Sequence, residues 1–156
     1  HDETIQYHSP VRVEEALEAS IRFCELHGLT LVAKGHPVNP ASMAPLKAIA
    51  KDRAVWVEDI SVHDLIEKSR AVFTVNSGVG MEALLHRKPV FRFGYSDYDS
   101  VSSMFSLDLD EMTTVWRQGL TATPNLEGFF EAFVSWCVDS SQPLELLGQG
   151  GQRQCG

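Results

Sequence analysis

The sequence predicts an α/β domain, a Rossmann-like parallel sheet with flanking helices. Two observations carry this. Short apolar runs rich in β-branched residues alternate with helix-patterned segments, and each strand-plus-helix unit takes about 20–30 residues, the length of a βαβ crossover. The runs are followed by Lys34-Gly35-His36-Pro37, Glu58-Asp59, Asn76-Ser77-Gly78 and Gly94, polar or glycine-containing loops of the kind that join a strand to the next element. No internal repeat or low-complexity segment competes with this reading.

The first ten residues are polar and close on Ser9-Pro10, an N-terminal boundary for the first helix. From Val11 to His27 the positions Val13, Ala16, Leu17, Ser20, Ile21, Cys24 and Leu26 recur at helical spacing, and Gly28 supplies a C-cap. Leu29 to Ala33 is a continuous apolar run, expected to be a strand buried on both faces. After Lys34-Gly35-His36-Pro37 come a weak helix from about Ser42 to Lys51 and a strand from Ala54 to Val57. Ser61 is placed to cap a helix through Lys68, with Asp64 in its first turn. Ala71 to Val75 is a third strand, Gly78 to Arg87 a third crossover helix and Val90 to Phe93 a fourth strand. Gly94 to Asp99 reads as loop and Asp108 to Leu120 as helix. Pro124-Asn125 opens a last amphipathic helix to about Val138, with Leu126, Phe129, Phe130, Phe133, Val134 and Cys137 on one side. The expected organisation is one domain over 1–145, followed by a disordered or appended tail over 146–156.

At 156 residues, with 44% hydrophobic and 22% charged content, the chain has the composition of a soluble globular protein. A formal charge of -8 argues against nonspecific binding to nucleic acid or an acidic membrane, because no basic stripe can neutralise many phosphates. A small anionic ligand is not excluded, since a few donors in one crevice outweigh the global sign. Cys24, Cys137 and Cys155 show neither CxxC nor Cys/His ligand spacing, so Cys24 and Cys137 read as buried thiols in a reducing compartment. No signal peptide or transmembrane run is found. A start on His1-Asp2-Glu3 without Met, and an end on GQGGQRQCG, lead us to expect a piece of a larger protein.

In open α/β sheets ligands bind beyond the carboxyl ends of the strands. Lys34 to Pro37, Glu58 to Ser61 and Asn76 to Gly80 are expected at that edge, with Gly94 to Asp99 beside them. In the third loop, Asn76 or Ser77 can cap the following helix, while Gly78 and Gly80 clear side chains from a ligand's approach. Free N–H groups of that first turn, with the helix dipole, would suit a phosphate. Glu82, one turn in, could accept hydrogen bonds from two ribose hydroxyls. The plain alternative is a tight strand-to-helix turn with Glu82 as a dipole partner. The loop is neither a Walker sequence nor GxGxxG. In the first loop Pro37 restrains His36 toward extended backbone, aiming an imidazole that can donate to a phosphate oxygen. His27, His63 and His86 lie on helix patterns and read as solvated or packed. Asp97, Tyr98 and Asp99 suit either a pocket rim or a surface turn, and His1, Asp2 and Gln6 are further candidates to face the crevice. No metal site is expected, since no DxD-type pair stands at a strand end.

Two motifs in order, KGHP at 34–37 and VNSGVGMEALLHRKPV at 75–90, resemble the bacterial capsule polysaccharide biosynthesis family, which includes the Kdo transferases that start capsule chains. The opening HDETIQYHSP resembles the segment that begins the second half of those proteins, and the resemblance covers about Gln6 to Asp99. It implies a GT-B glycosyltransferase, of which this chain would be the C-terminal, donor-binding half. Families using CMP-activated sugars carry an HP motif and a Ser/Thr motif that contact the cytidine nucleotide. His36-Pro37 and Asn76-Ser77 match these by position. Glu58 and Asp59 would then lie near the base and Glu82 near the ribose, with Lys34, Gly35, Ser77, Gly78 and Gly80 around the phosphate.

The implied function is donor binding in capsule or surface polysaccharide biosynthesis, with CMP-Kdo as an example donor and no separate cofactor. The partners would be the N-terminal half of the same protein and a glycan or glycolipid acceptor, in the cytoplasm and peripherally at the inner membrane. No catalytic residue is carried over, because the acceptor side is not in this chain, and the isolated chain is expected to be inactive. Two other classes stay open. One is a non-catalytic α/β module binding a nucleotide or a partner; the other is half of a UDP-sugar-dependent enzyme.

Overall fold

The computed structural model describes residues 9–35, 43–102 and 107–117, except the side chain of Ser100. All belong to the first of the chain's two units, His1–Thr123. The second unit, Pro124–Gly156, lies outside the described residues with the helix expected from Pro124 and the expected tail. His36, Pro37, Cys137 and Cys155 lie outside them too.

Helix α1 spans Val13–Leu26. At its start the Glu15 carboxylate accepts the Arg12 N–H at 2.9 Å, and this bond holds the Glu15 carboxyl below its ordinary pKa. At its end Gly28 turns left-handed, with φ 62°, and the Leu29 N–H closes on the Cys24 carbonyl at 2.8 Å. This is the glycine C-cap the sequence predicts. The buried face is Ala16, Ala19, Ser20, Ile21, Phe23 and Cys24. Leu26, expected on that face, is 60% exposed, and Phe23, absent from the expected stripe, is completely buried. The helical period explains the exchange: Phe23 follows Ala16 by two turns, whereas Leu26 follows Cys24 by only two residues and faces away.

Strand β1 (Leu31–Lys34) pairs in parallel with β2 (Ala54–Val57), Leu31 opposite Ala54 and Lys34 opposite Val57, and α2 (Met43–Ala50) lies between them in sequence. Leu31, Ala54 and Trp56 turn toward Ile21 of α1 and Ala50 of α2. Val32 and Val55, opposite each other in the register, are about half exposed. The expectation that the first strand is buried on both faces is therefore not met. Side chains alternate across a strand, and the helices α1 and α2 cover only one side of this pair.

Helix α3 (Val62–Lys68) leads to β3 (Val72–Thr74), which pairs in parallel with β4 (Val90–Arg92) across α4 (Val79–Leu85). Ser61 precedes α3 as expected, but its carbonyl takes the Leu65 N–H at 3.1 Å and its hydroxyl makes no capping bond. A short 3₁₀ turn covers Asp99–Val101. The last described helix, α5 (Leu109–Arg117), is capped by Asp108, whose carboxylate accepts the N–H groups of Asp110 and Glu111 at 2.8 and 3.0 Å. Among the described residues the strands thus form two parallel ladders. The α/β class with flanking helices is as predicted.

The main core joins α1, the second ladder and α5. Phe23 sits with its ring centroid 5.3 Å from Phe91, 5.6 Å from Phe73 and 5.7 Å from Trp116. His27 closes one side of this cluster, 4.4 Å from Phe23, and its Nε2 lies 3.1 Å from the Thr113 hydroxyl. His27 is thus packed rather than poised for a ligand. Cys24 is buried in the same core, and burial pushes its thiol up to about 11, the behaviour of a structural cysteine.

Candidate functional site

Parallel pairing brings the carboxyl ends of β1 and β2 together and those of β3 and β4 together, so the predicted loops leave in two couples. In the first couple, Lys34 at the end of β1 donates from Nζ to the Glu58 carbonyl just past β2. The Glu58 carboxylate meets Lys47 of α2 at 3.3 Å, and Lys47 also stands over the Trp56 ring. Lys34 therefore straps two strand ends, and its ammonium keeps further N–H groups for another acceptor. Glu58 and Asp59 are exposed, while Gly35 is half-buried, and a Cβ there would lie 3.0 Å from Met43 Sδ.

The second couple is more tightly built. The Ser77 N–H donates to Thr74 Oγ1 at 3.2 Å, the Val79 N–H to Ser77 Oγ at 3.3 Å, and the Gly80 N–H to the Ser77 carbonyl at 3.0 Å. These N–H groups, expected free for a phosphate, are used within the turn. What the turn presents outward is the Ser77 side chain, which is exposed. Its oxygen already accepts from Val79, so its own O–H remains to donate. Gly78, which directly precedes α4, is exposed, and a side chain there would meet nothing within 4 Å. Asn76 is half-buried next to Ser77.

Gly80 differs from the expectation. It is buried, and a Cβ there would lie 2.2 Å from the Tyr98 hydroxyl and 2.5 Å from the ring carbon that carries it. The glycine makes room for Tyr98, which arrives from the loop after β4. Tyr98 is 3% exposed and donates to the Ser77 carbonyl at 2.5 Å. Burial raises its phenol above the ordinary value, which keeps it the donor in that bond.

The sequence reading leaves Tyr98 between rim and surface turn and passes over Arg92. The Arg92 side chain is 11% exposed; it meets Asp99 Oδ1 at 3.2 Å, donates to the Gly94 carbonyl at 3.1 Å, and bonds the Ser102 hydroxyl. Asp99 Oδ1 also accepts from Ser96 N–H at 2.7 Å and Ser96 Oγ at 2.9 Å. The missed signal is an arginine inside the apolar strand run VFRF, since a buried guanidinium requires partners. Gly94 is close-packed too, with Ser9 Oγ and the Val75 carbonyl 3.0 and 3.1 Å from where its Cβ would be. This seats the Ser9-Pro10 boundary on the end of the second ladder.

Glu82 lies on α4, and its side chain is partly exposed, but Oε2 is buried without a hydrogen-bond partner. His63 Nδ1 of α3 stands 3.9 Å from it, too long for a hydrogen bond. His63 and His86 have ring centroids 5.9 Å apart. The His63 and Glu82 contact links the element after β2 to the element after β3. Among the described residues no group of three or more His, Cys, Asp or Glu is placed to hold a metal ion. Nor is any described helix long and apolar enough to cross a membrane.

Comparisons with known proteins bear on this edge. The family model for "Capsule polysaccharide biosynthesis protein" matches residues 1–125, a stretch that contains all four loops. Over 77 residues the chain is 35% identical to the capsule polysaccharide export protein KpsS of Escherichia coli, covering 44% of this chain and 20% of that protein. Among solved structures it resembles the Thermosulfurimonas dismutans KpsC beta Kdo 2,7 transferase, with a TM-score of 0.52 and 23% identity over 72% of this chain and 40% of that one. At that identity the likeness is one of fold. The chain spans well under half the length of either relative. The family match takes in both ladders and both couples of loops, and this chain belongs to the capsule polysaccharide biosynthesis protein family.

Proposed function

We propose that the chain is the donor-binding domain of a glycosyltransferase in capsule or surface polysaccharide biosynthesis, using a CMP-activated sugar such as CMP-Kdo. It would form one half of a GT-B enzyme. The observation that carries the reading is the Ser77 turn: an exposed hydroxyl with a proton to donate, at the carboxyl edge of a parallel ladder, in a chain of this family. The likeness in fold to a Kdo transferase supports it.

In such a transfer the anomeric C–O bond of the donor breaks and the nucleotide phosphate leaves with the electron pair. Lys34, His36 and the Ser77 hydroxyl would stabilise that departing charge, Glu58 and Asp59 would lie near the base, and Glu82, whose side chain is partly exposed, would lie near the ribose. Asn76, Gly78 and Gly80 shape the turn, and Gly35 and Pro37 the first loop. Acceptor and catalytic base would come from the remainder of the protein, which works at the cytoplasmic face of the inner membrane on a glycan or glycolipid. The isolated chain then binds nucleotide without turning it over.

Calorimetric titration with CMP, UDP and AMP tests the reading. We expect CMP to bind at up to ~1 mM, with UDP and AMP weaker by about tenfold, a difference of ~1.4 kcal/mol. Preference for UDP would instead indicate half of a uridine-donor enzyme. Silence toward all three would reject nucleotide recognition by this chain and leave the non-catalytic partner-binding module.

A further inference from the structure

The loop after β4 does more than follow the sheet. Tyr98 reaches back over Gly80, fills the space a side chain would need, and donates to the Ser77 carbonyl at 2.5 Å. That carbonyl also receives the Gly80 N–H at 3.0 Å, so the phenol and the first turn of α4 fix the same atom. The tyrosine is itself held. Its neighbour Asp99 takes two bonds from Ser96, and Arg92, nearly buried, grips Asp99 and the Gly94 carbonyl. A chain of part-buried polar contacts therefore runs from β4 through the loop to the Ser77 turn. Such a network fixes geometry, because each member loses a partner if another moves.

We propose that Tyr98, held by Arg92 and Asp99, is a positioning residue that sets the Ser77 turn for the donor's phosphate. The proposal rests on the donor-binding reading for the identity of the ligand. Its geometric content, that the loop after β4 orders the turn after β3, is independent of that reading. A hydroxyl held at one angle need not be ordered when the ligand arrives, so affinity is gained through preorganisation. Tyr98 touches the turn and acts through Ser77.

The test compares the unmodified chain with Tyr98→Phe, which keeps the ring and removes the hydrogen bond, and with Asp99→Ala, which frees the loop without touching the turn. Three quantities are read: CMP affinity, amide hydrogen exchange at Val79 and Gly80, and melting temperature. For both variants we expect CMP affinity to fall about five- to tenfold and exchange at Val79 and Gly80 to quicken by a similar factor, the scale of one lost hydrogen bond. A purely structural tyrosine would lower the melting temperature but leave affinity and local exchange as they were, and that result overturns the proposal. If the unmodified chain binds no CMP, the donor reading fails and exchange alone judges the positioning role. Faster exchange then sustains it and unchanged exchange overturns it.

Discussion

Phe23→Ala is expected to cost about 3–5 kcal/mol, the range for deleting a buried aromatic ring. Phe23 has no exposed surface and lies within 6 Å, centroid to centroid, of Phe73, Phe91 and Trp116. These rings come from α1, β3, β4 and α5, so the residue joins one helix, the second ladder and the last described helix. The void left behind cannot collapse without moving all of them, which places the cost toward the upper end. For a domain whose stability is on the order of 5–15 kcal/mol, this brings unfolding close to physiological conditions. Urea denaturation followed by circular dichroism measures it, with Phe23→Leu expected to lose about half as much. A loss for Phe23→Ala of less than ~1 kcal/mol, the level of a typical surface change, would mean this cluster is not the core.

Gly80→Ala is the second large effect, expected to cost about 2–4 kcal/mol through overpacking and a lost buried hydrogen bond. The new methyl would lie 2.2 Å from the Tyr98 hydroxyl. Backbone strain plays no part, because Gly80 sits inside α4 and carries no positive φ. Alanine is the better helix former, so propensity alone predicts a gain of up to ~1 kcal/mol. The signs of the two accounts are opposite, which makes the measurement decisive. Tyr98→Ala in the same chain should recover part of the loss, since it removes the atom the methyl strikes. The two substitutions should therefore be non-additive in a double-mutant cycle.

These two residues also show how far the sequence can be read. The alternation of apolar runs with helix patterns places every described strand and helix within a few residues, because period and length are local properties. The glycine C-cap at Gly28 and the start of a helix at Asp108 are local too, and both are legible. Phe23 is not singled out by its sequence, although its spacing from Ala16 puts it on the buried face; Leu26 stands out instead for its chemistry, against its angle. The exposed Val32 and Val55 follow from how many helices cover a ladder, a tertiary property that an apolar run does not carry.

At the site, the sequence marks the loops and hides their wiring. Gly80 reads as clearance for a ligand, and it is clearance for Tyr98. Lys34 reads as a phosphate donor, and one of its N–H groups bonds the Glu58 carbonyl just past β2. Both differences concern contacts between residues distant in sequence, 18 positions apart for Gly80 and Tyr98 and 24 for Lys34 and Glu58. Arg92 is open to inference, because a cation within an apolar strand must find partners nearby. His36 and Pro37 belong to the residues beyond those described, so their part in donor binding stands on the motif.

The central claim is that one nucleotide phosphate lies between the first loop and the Ser77 turn. Mapping amide shifts of the isotope-labelled chain during a CMP titration, alongside His36→Ala and Ser77→Ala, tests this most directly. Shifts are expected to concentrate at Lys34, Gly35 and Asn76 to Gly80, with binding weakened at least about tenfold in each variant, or ~1.4 kcal/mol. Binding that survives both substitutions, or shifts gathered elsewhere on the domain, would contradict it.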